Sequence, residues 1–554
     1  MIPCHQLDDL LAVLFEEYSI DLIQESDLPS IIYHVFYSSI MAVEVPLNGI
    51  TEFSVTAGEL GQNPFDVEIT ANFLHESGTS IQHVPGYFDG DGTWTFRFCP
   101  THEGEWVGSI SSDIAEFDGE TFGIVECVSN GEDGFPGRIR IDPENPRRFR
   151  FERGQEFVPL GFEIDWLFSY HQSDPDACYR TVDRLKEIGF NYFITNLYAH
   201  TGFSPQERDD VYGPPDEFIF GGSNENPDFD RFNIAFFEDF DRLMTYLHDQ
   251  GIVVNLMLQV QNKRVNWPDR RSDSDDRFWR YVVSRYAAYP NLIWDIGKES
   301  YYLSKETGSH GYSIDRMELI RSIDPYDNLV TVHDSEAFWE DGNTYCTLTS
   351  ADDVADFVSD QIHLGDAHHL FREATRRFRR DDKPYLNNEY GYEAGVDDIE
   401  SYSNQTTTDW KDMLAWTWSI YAGGGYPCYY YTNMAWDLIK PEPEPESWPR
   451  YRDLSNFLAQ FDLNRMIPDR DYVSRGFCLT EPGQQYLIFL PEGGHVRVDL
   501  TAVDSVEWGF SCRFLDCFTG EAASTTIDAC EFLTPLENPL SDVDHPCAIA
   551  IISP

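Results

Sequence analysis

Between about residues 155 and 440, short apolar runs alternate with amphipathic stretches, and this alternation constrains the fold more than any other feature. Eight apolar runs follow in order: Phe157–Phe162, Tyr192–Asn196, Val253–Leu258, Leu292–Ile296, Leu329–Val332, Phe357–Ile362, Pro384–Asn388 and Met413–Trp418. Helical runs such as Cys178–Ile188, Phe236–Gln250 and Arg277–Ala288 separate them. An apolar strand followed by an amphipathic helix is a βαβ half-unit. Its strands are parallel, because a helical crossover returns the chain to the same end of the sheet. Eight such units predict an α/β chain built around a TIM-type (β/α)8 barrel. An open doubly wound sheet would need a glycine-rich phosphate turn after the first strand. The chain reads Gly161-Phe162-Glu163-Ile164-Asp165-Trp166 there, which is no phosphate cradle.

The flanks carry a different period. From 41 to 130, alternating runs such as Asp66-Val67-Glu68-Ile69-Thr70 and Thr93-Trp94-Thr95-Phe96-Arg97-Phe98 are broken by turns, as at Asp89-Gly90-Asp91-Gly92. That pattern predicts a β-sandwich. Alternation returns after the extended Pro441-Glu442-Pro443-Glu444-Pro445-Glu446 spacer, in Gln485–Leu490, Val496–Leu500 and Arg513–Phe518, and predicts a second sandwich over 468–554. Leu7, Leu10, Leu11, Leu14 and Phe15 have helical spacing within an N-terminal segment 1–40. Arg138–Arg153 alternates like a hairpin and opens the barrel unit, 138–464. The expected architecture is a TIM barrel flanked by N-terminal and C-terminal β-sandwich domains.

In such barrels, catalytic groups stand at the C-terminal ends of strands. Strand four runs Leu292-Ile293-Trp294-Asp295-Ile296 and is followed by Gly297-Lys298-Glu299. Strand seven runs Pro384-Tyr385-Leu386-Asn387-Asn388 and is followed by Glu389-Tyr390. Two carboxyls facing each other across a barrel mouth suit glycosidic cleavage, in which one protonates the leaving oxygen and the other attacks the anomeric carbon or activates water.

At these motifs the chain resembles the clan of retaining barrel glycoside hydrolases whose acid/base ends strand four and whose nucleophile ends strand seven. Within that clan it is most similar to the apiosidase-like (DUF4038-like) branch. The resemblance implies that Glu299 is the acid/base and Glu389 the nucleophile. Gly86-Tyr87-Phe88-Asp89-Gly90, Trp94, Arg97-Phe98, Pro100 and Gly104-Glu105-Trp106 resemble an immunoglobulin-like domain of unknown function (DUF5060-like) that precedes some of these barrels. Leu487–Leu490, Gly493-Gly494, Asp516 and Thr519-Gly520-Glu521 resemble a C-terminal β-domain labelled collagen-binding in related barrels. One residue departs from the pattern. Lys298 stands where the family places an asparagine that hydrogen-bonds the sugar 2-hydroxyl, and lysine can donate but not accept. This departure keeps open a second function, a non-catalytic carbohydrate-binding barrel scaffold.

Other strand ends supply candidates for substrate binding: Asp165 and Trp166, then Asn196, Tyr198 and His200, then Gln259, with Lys298 and His333 further on. His363 and Tyr390 could each donate to Glu389, and Trp416 could floor a sugar through its flat face. Glu163 and Glu393 are fallback carboxylates. No metal or cofactor is called for. His75-Glu76 and His102-Glu103 lack the second histidine of a zinc-protease helix, strand one has no HxH, and no GxSxG elbow occurs.

Charge excludes some partners. The chain carries 96 Asp plus Glu against 39 Lys plus Arg, a formal net charge of -57, and only seven of the cations are lysine. Nucleic acid and anionic membranes both require a basic face and are poor partners; the partner that the resemblance implies is a carbohydrate substrate. The 11 cysteines form no CxxC pair and read as reduced core residues of a cytoplasmic protein. Such self-repulsion is screened by molar salt, which suggests adaptation to salt. The melting temperature is expected to rise between about 0.1 M and about 3 M KCl as the Debye length falls from about 10 Å to about 3 Å. A flat or falling melting temperature would contradict salt adaptation.

Overall fold

The computed structural model describes residues 42–553, apart from 59, 113, 201–210, 214, 301, 304–308, 335–353, 363–364, 396–406, 436–437, 501–509 and 528–532. The expected N-terminal helical segment and His363 lie outside the described residues.

Eight parallel strands form a barrel-like sheet: β1 (Gly161–Glu163), β2 (Tyr192–Asn196), β3 (Val253–Val260), β4 (Leu292–Lys298), β5 (Val330–Thr331), β6 (Val358–Gln361), β7 (Tyr385–Glu389) and β8 (Tyr426–Tyr429). Each pairs with its sequence neighbour, and β1 also pairs with β8 through Gly161↔Cys428. The circuit closes between β5 and β6. There Asp334 bridges Asp360, and the Asp356 amide donates to the Val330 carbonyl at 2.9 Å. Outside the sheet lie α1 (Pro175–Ile188), α2 (Ile234–Asp249), α3 (Asp273–Tyr286), α4 (Gly311–Ile323), α5 (Ala367–Arg380), α6 (Trp410–Ala422) and α7 (Trp448–Leu458). Side chains cap several of their first turns: Asp174 on α1, Asn233 on α2, Ser272 on α3, Asp366 on α5 and Asp409 on α6. Each accepts from an amide that a helix start leaves unbonded.

Two strand expectations are corrected. Met413–Trp418 is not strand eight but part of α6. Met413, Leu414, Thr417, Trp418 and Tyr421 are buried on that helix with helical spacing, and the true eighth strand follows at Tyr426. The run is apolar enough for a strand, but the Asp409 cap and the 3.6 period decide for helix. Phe157 lies outside the barrel strand as well. Glu156–Phe157 pairs with Phe149–Phe151, which pairs in turn with Ile139–Ile141 in a small antiparallel sheet, and barrel strand β1 starts at Gly161.

That small sheet closes one end. Phe149 packs edge-on against Phe357, just before β6, at 5.3 Å, and tilted against Tyr426, the first residue of β8, at 5.5 Å. Buried Arg148 donates to the Gly424 and Met466 carbonyls. The N-terminal end of the barrel is thereby covered, which leaves the C-terminal end for chemistry.

A seven-stranded sheet between Val43 and Val128 packs against α3 and α4. Arg97 of this sheet and Arg285 of α3 share Asp241 of α2, at 2.5 and 2.7 Å. On the other side, a six-stranded sheet from Ile467 to Ile552 stacks Phe489 on Trp418 of α6 and Phe477 on Phe371 of α5. The eight cysteines described are buried and free. Among the described residues, no helix is long and apolar enough to cross a membrane.

Candidate active site

The C-terminal end of the barrel gathers charge that a dry interior would ordinarily exclude. Lys298, the last residue of β4, is fully buried, and its ammonium contacts three carboxylates. These are Glu163 Oε1, Glu389 Oε1 at 2.8 Å and Asp165 Oδ1 at 3.3 Å. A tight strand approach helps bring the lysine there. A Cβ on Gly297 would sit 2.3 Å from the Gln259 carbonyl, so only glycine lets β3 and β4 close at this point. Burial alone would lower the lysine's pKa, but Asp165, Glu163 and Glu389 outweigh it and keep the ammonium charged.

Glu389 ends β7. Its Oε1 accepts from Lys298 and from the Gln361 amide at 3.2 Å, and its Oε2 accepts from the Tyr392 hydroxyl at 2.5 Å. Burial and the adjacent carboxylate push the Tyr392 phenol well above its usual range, so it remains a neutral donor. His333 Nε2 is 3.4 Å from Glu389 Oε1 and 2.9 Å from the Gln361 amide nitrogen. Register places Gln361 of β6 directly beside Glu389.

Glu299 follows β4 with φ 55°, a left-handed conformation rare for a residue with a side chain. The departure from strand geometry turns it toward the same amide: Gln361 Nε2 is 3.4 Å from Glu299 Oε1. One amide nitrogen therefore touches both carboxyls, and the two oxygens are at most about 6.6 Å apart. Burial, and after it the charge of Glu389, pushes the Glu299 pKa up against the opposing pull of Lys298 and Lys263. The effect of Lys298 on Glu299 is thus outweighed.

The remaining sequence candidates divide between this cluster and the surrounding core. Asp165 sits inside the cluster, accepting from the Asn196 amide at 3.0 Å and the Tyr430 hydroxyl at 2.6 Å. Asn196 reaches the cluster through that bond, and His333 reaches it through Gln361. Trp166 is buried beside Gly213. Tyr198 packs among Phe168, Phe218 and Phe236. Gln259 turns to Asp275 and Tyr312. His200 is half-buried, and burial lowers its pKa. The Tyr390 hydroxyl is 2.6 Å from Thr417 of α6, so Tyr392 and not Tyr390 meets Glu389. Trp416 rides on α6, with its ring against Gly391, two residues after β7. Glu393 is tied to Ser447 and Tyr429 and is pushed up to about 7 by burial. Sequence reading missed Gln361, Tyr392 and Tyr430. The signal for Gln361 was available, since it ends strand six and faces the strand that carries Glu389.

Glu163, His333 and Glu389 place ligand-type atoms within 4.8 Å of one another. The Lys298 ammonium already contacts two of the three, so the cation of this cluster is the protein's own. A cavity of about 530 Å³ lies at the opposite end of the barrel, between Phe157, His248 and Leu458.

The apiosidase-like catalytic domain family matches residues 143–459, more than half of the chain, and the chain belongs to that family. The domain of unknown function DUF5060 matches residues 45–113. Among solved structures the chain is similar to a Bacteroides vulgatus protein provisionally described as a glycoside hydrolase, at 19% identity and TM-score 0.72, over 92% of this chain and 100% of that one. It is also similar to a glycoside hydrolase family 5 protein from the same bacterium, at 15% identity and TM-score 0.54, over 75% and 94%. At these identities the likeness shows the fold. No curated protein matches the chain.

Replacing Lys298 by Met leaves several buried carboxyls with no cation. The variant is expected to lose about 3–5 kcal/mol in urea unfolding at pH 7, the usual cost of stranding buried charge. Without the lysine, the pull that opposes burial is lost and the folded-state pKa values of these carboxyls rise further above the unfolded values. The loss therefore grows as pH climbs from about 4 and shrinks below it. A loss independent of pH would contradict this account.

Proposed function

We propose that the chain is a glycoside hydrolase that cleaves O-glycosidic bonds of an oligo- or polysaccharide by a retaining double displacement, with Glu389 as nucleophile and Glu299 as acid/base. The observation that carries the reading is the Gln361 amide shared by the two carboxyls. Their oxygens, at most about 6.6 Å apart, lie short of nearly all of the inverting range of about 6.5–9.5 Å and are compatible with the retaining separation of about 5–5.5 Å.

In the first step, a Glu389 oxygen forms a bond to the anomeric carbon as the glycosidic C–O bond breaks, and the leaving oxygen takes the Glu299 proton. In the second, Glu299 removes a proton from water, the water oxygen bonds to the same carbon, and Glu389 is released as carboxylate. The environments suit these roles. Lys298, Gln361 and Tyr392 all donate to Glu389 and favour its charged form, while burial and the Glu389 charge favour a protonated Glu299.

The domain reading that goes with this function is a TIM barrel over 138–464, between β-domains at 41–130 and 468–554, with the barrel's C-terminal end open to substrate. The buried free thiols support a reducing, cytoplasmic setting.

Hydrolysis of aryl glycosides and plant or algal oligosaccharides in about 3 M KCl, where surface repulsion is screened, tests the reading. Glu389→Ala should lower kcat/KM at least about a thousandfold with the fold retained. Glu299→Gln should cost about 10²–10⁴-fold on natural linkages and much less on nitrophenyl glycosides, whose leaving group needs no proton. Full activity in Glu389→Ala would move the nucleophile elsewhere. No turnover of any sugar by wild type would favour a non-catalytic carbohydrate-binding scaffold.

A further inference from the structure

The buried cluster is over-supplied with carboxylates. Glu163, Asp165 and Glu389 all touch Lys298, with Glu299 close by, so full ionisation would place several negative charges around one positive charge among buried side chains. Unbalanced charge of this kind is costly in a low-dielectric interior, and a carboxyl relieves it by keeping its proton.

Hydrogen-bond donors decide which carboxyl does so. Asp165 receives Lys298, the Asn196 amide and the Tyr430 hydroxyl. Glu389 receives Lys298, the Gln361 amide and the Tyr392 hydroxyl. Glu163 receives Lys298 alone, on Oε1, and its buried Oε2 meets no donor among the described residues. A carboxylate with one buried oxygen that no donor meets is the least stabilised of the three, and a proton on that oxygen removes its charge.

We propose that Glu163 is held as a neutral acid in the resting protein, so that the charge of Lys298 is shared by Asp165 and Glu389. Its role in the reaction rests on the glycosidase reading above; its protonation state does not. The groups facing it are Asp165 beyond its own strand, Tyr192 from β2, Lys298 from β4 with Glu299 on the far side of that lysine's charge, His333 after β5, Glu389 from β7 and Tyr392 after it, and Cys428 from β8 and Tyr430 after it. Burial pushes the phenols and the thiol up, so they stay neutral. Burial also raises Glu163 most strongly, opposed by Lys298 and reinforced by Glu389 and Asp165.

Charge balance follows. When Glu389 becomes a neutral glycosyl ester, Lys298 and Asp165 remain as a matched pair, and no proton has to leave the floor of the site. Glu163 is thus a positioning residue that acts on Glu389 through Lys298.

Thermal melting of wild type, Glu163→Gln and Glu163→Leu across about pH 5 to 8 tests the proposal without any sugar. An acid that stays protonated when folded, but ionises near pH 4.3 when unfolded, makes wild type lose stability as pH rises. The melting temperature of each variant relative to wild type should therefore climb steadily with pH, whatever constant packing loss it carries. A difference that stays flat over this range would mean that Glu163 is an ionised partner of Lys298, and would overturn the proposal. Failure of both neutral replacements to fold at about pH 8 would overturn it too. If the trend holds but no glycoside is ever cleaved, the neutral acid stands and only the catalytic reading falls.

Discussion

The barrel mouth is organised around one buried ammonium. Lys298 is fully enclosed, and an unpaired charge there would cost several kcal/mol. Its contacts with Glu163, Asp165 and Glu389 join β1, β4 and β7 at their C-terminal ends. The same contacts fix where Glu389 Oε1 lies, and Gln361 ties that oxygen to Glu299. Strand order supplies the frame, but the lysine sets the electrostatics. It donates to Glu389 and leaves the Glu299 pKa to be raised by burial and by Glu389 itself.

This arrangement gives position 298 a role that an asparagine could not fill. An asparagine at this place would face a sugar hydroxyl as donor and acceptor, whereas the lysine is committed to carboxylates and has no acceptor to offer. Its partners come from β1, where Glu163 and Asp165 stand two residues apart. The lysine that ends β4 is thus met by carboxylates at the ends of β1 and β7.

Much of the fold was legible in the chain. Seven of the eight barrel strands fall on the apolar runs, because a strand buried on both faces leaves a strong local signature. Glu299 and Glu389 stood out because both follow such strands. The eighth strand was misplaced because Met413–Trp418 is apolar enough for a buried strand and also satisfies a helical period, and short runs do not separate the two. That error put Trp416 on a strand instead of a helix and left Tyr430, after the true strand, unnoticed. Tyr390 was preferred to Tyr392 by adjacency in sequence, but the chain turns after β7 and delivers the later hydroxyl. The donor pattern around Glu163 depends on strands far apart in sequence, and no local pattern encodes it.

The central claim is that Glu389 attacks the anomeric carbon from a floor held by Lys298. It is tested most directly by incubating the protein with a 2-deoxy-2-fluoro glycoside of whichever sugar it turns over, followed by peptide mass mapping. The account predicts one glycosyl adduct per chain, on the peptide that contains Glu389, and none in Glu389→Ala. An adduct on another residue, or inversion of configuration in the released sugar, would contradict it.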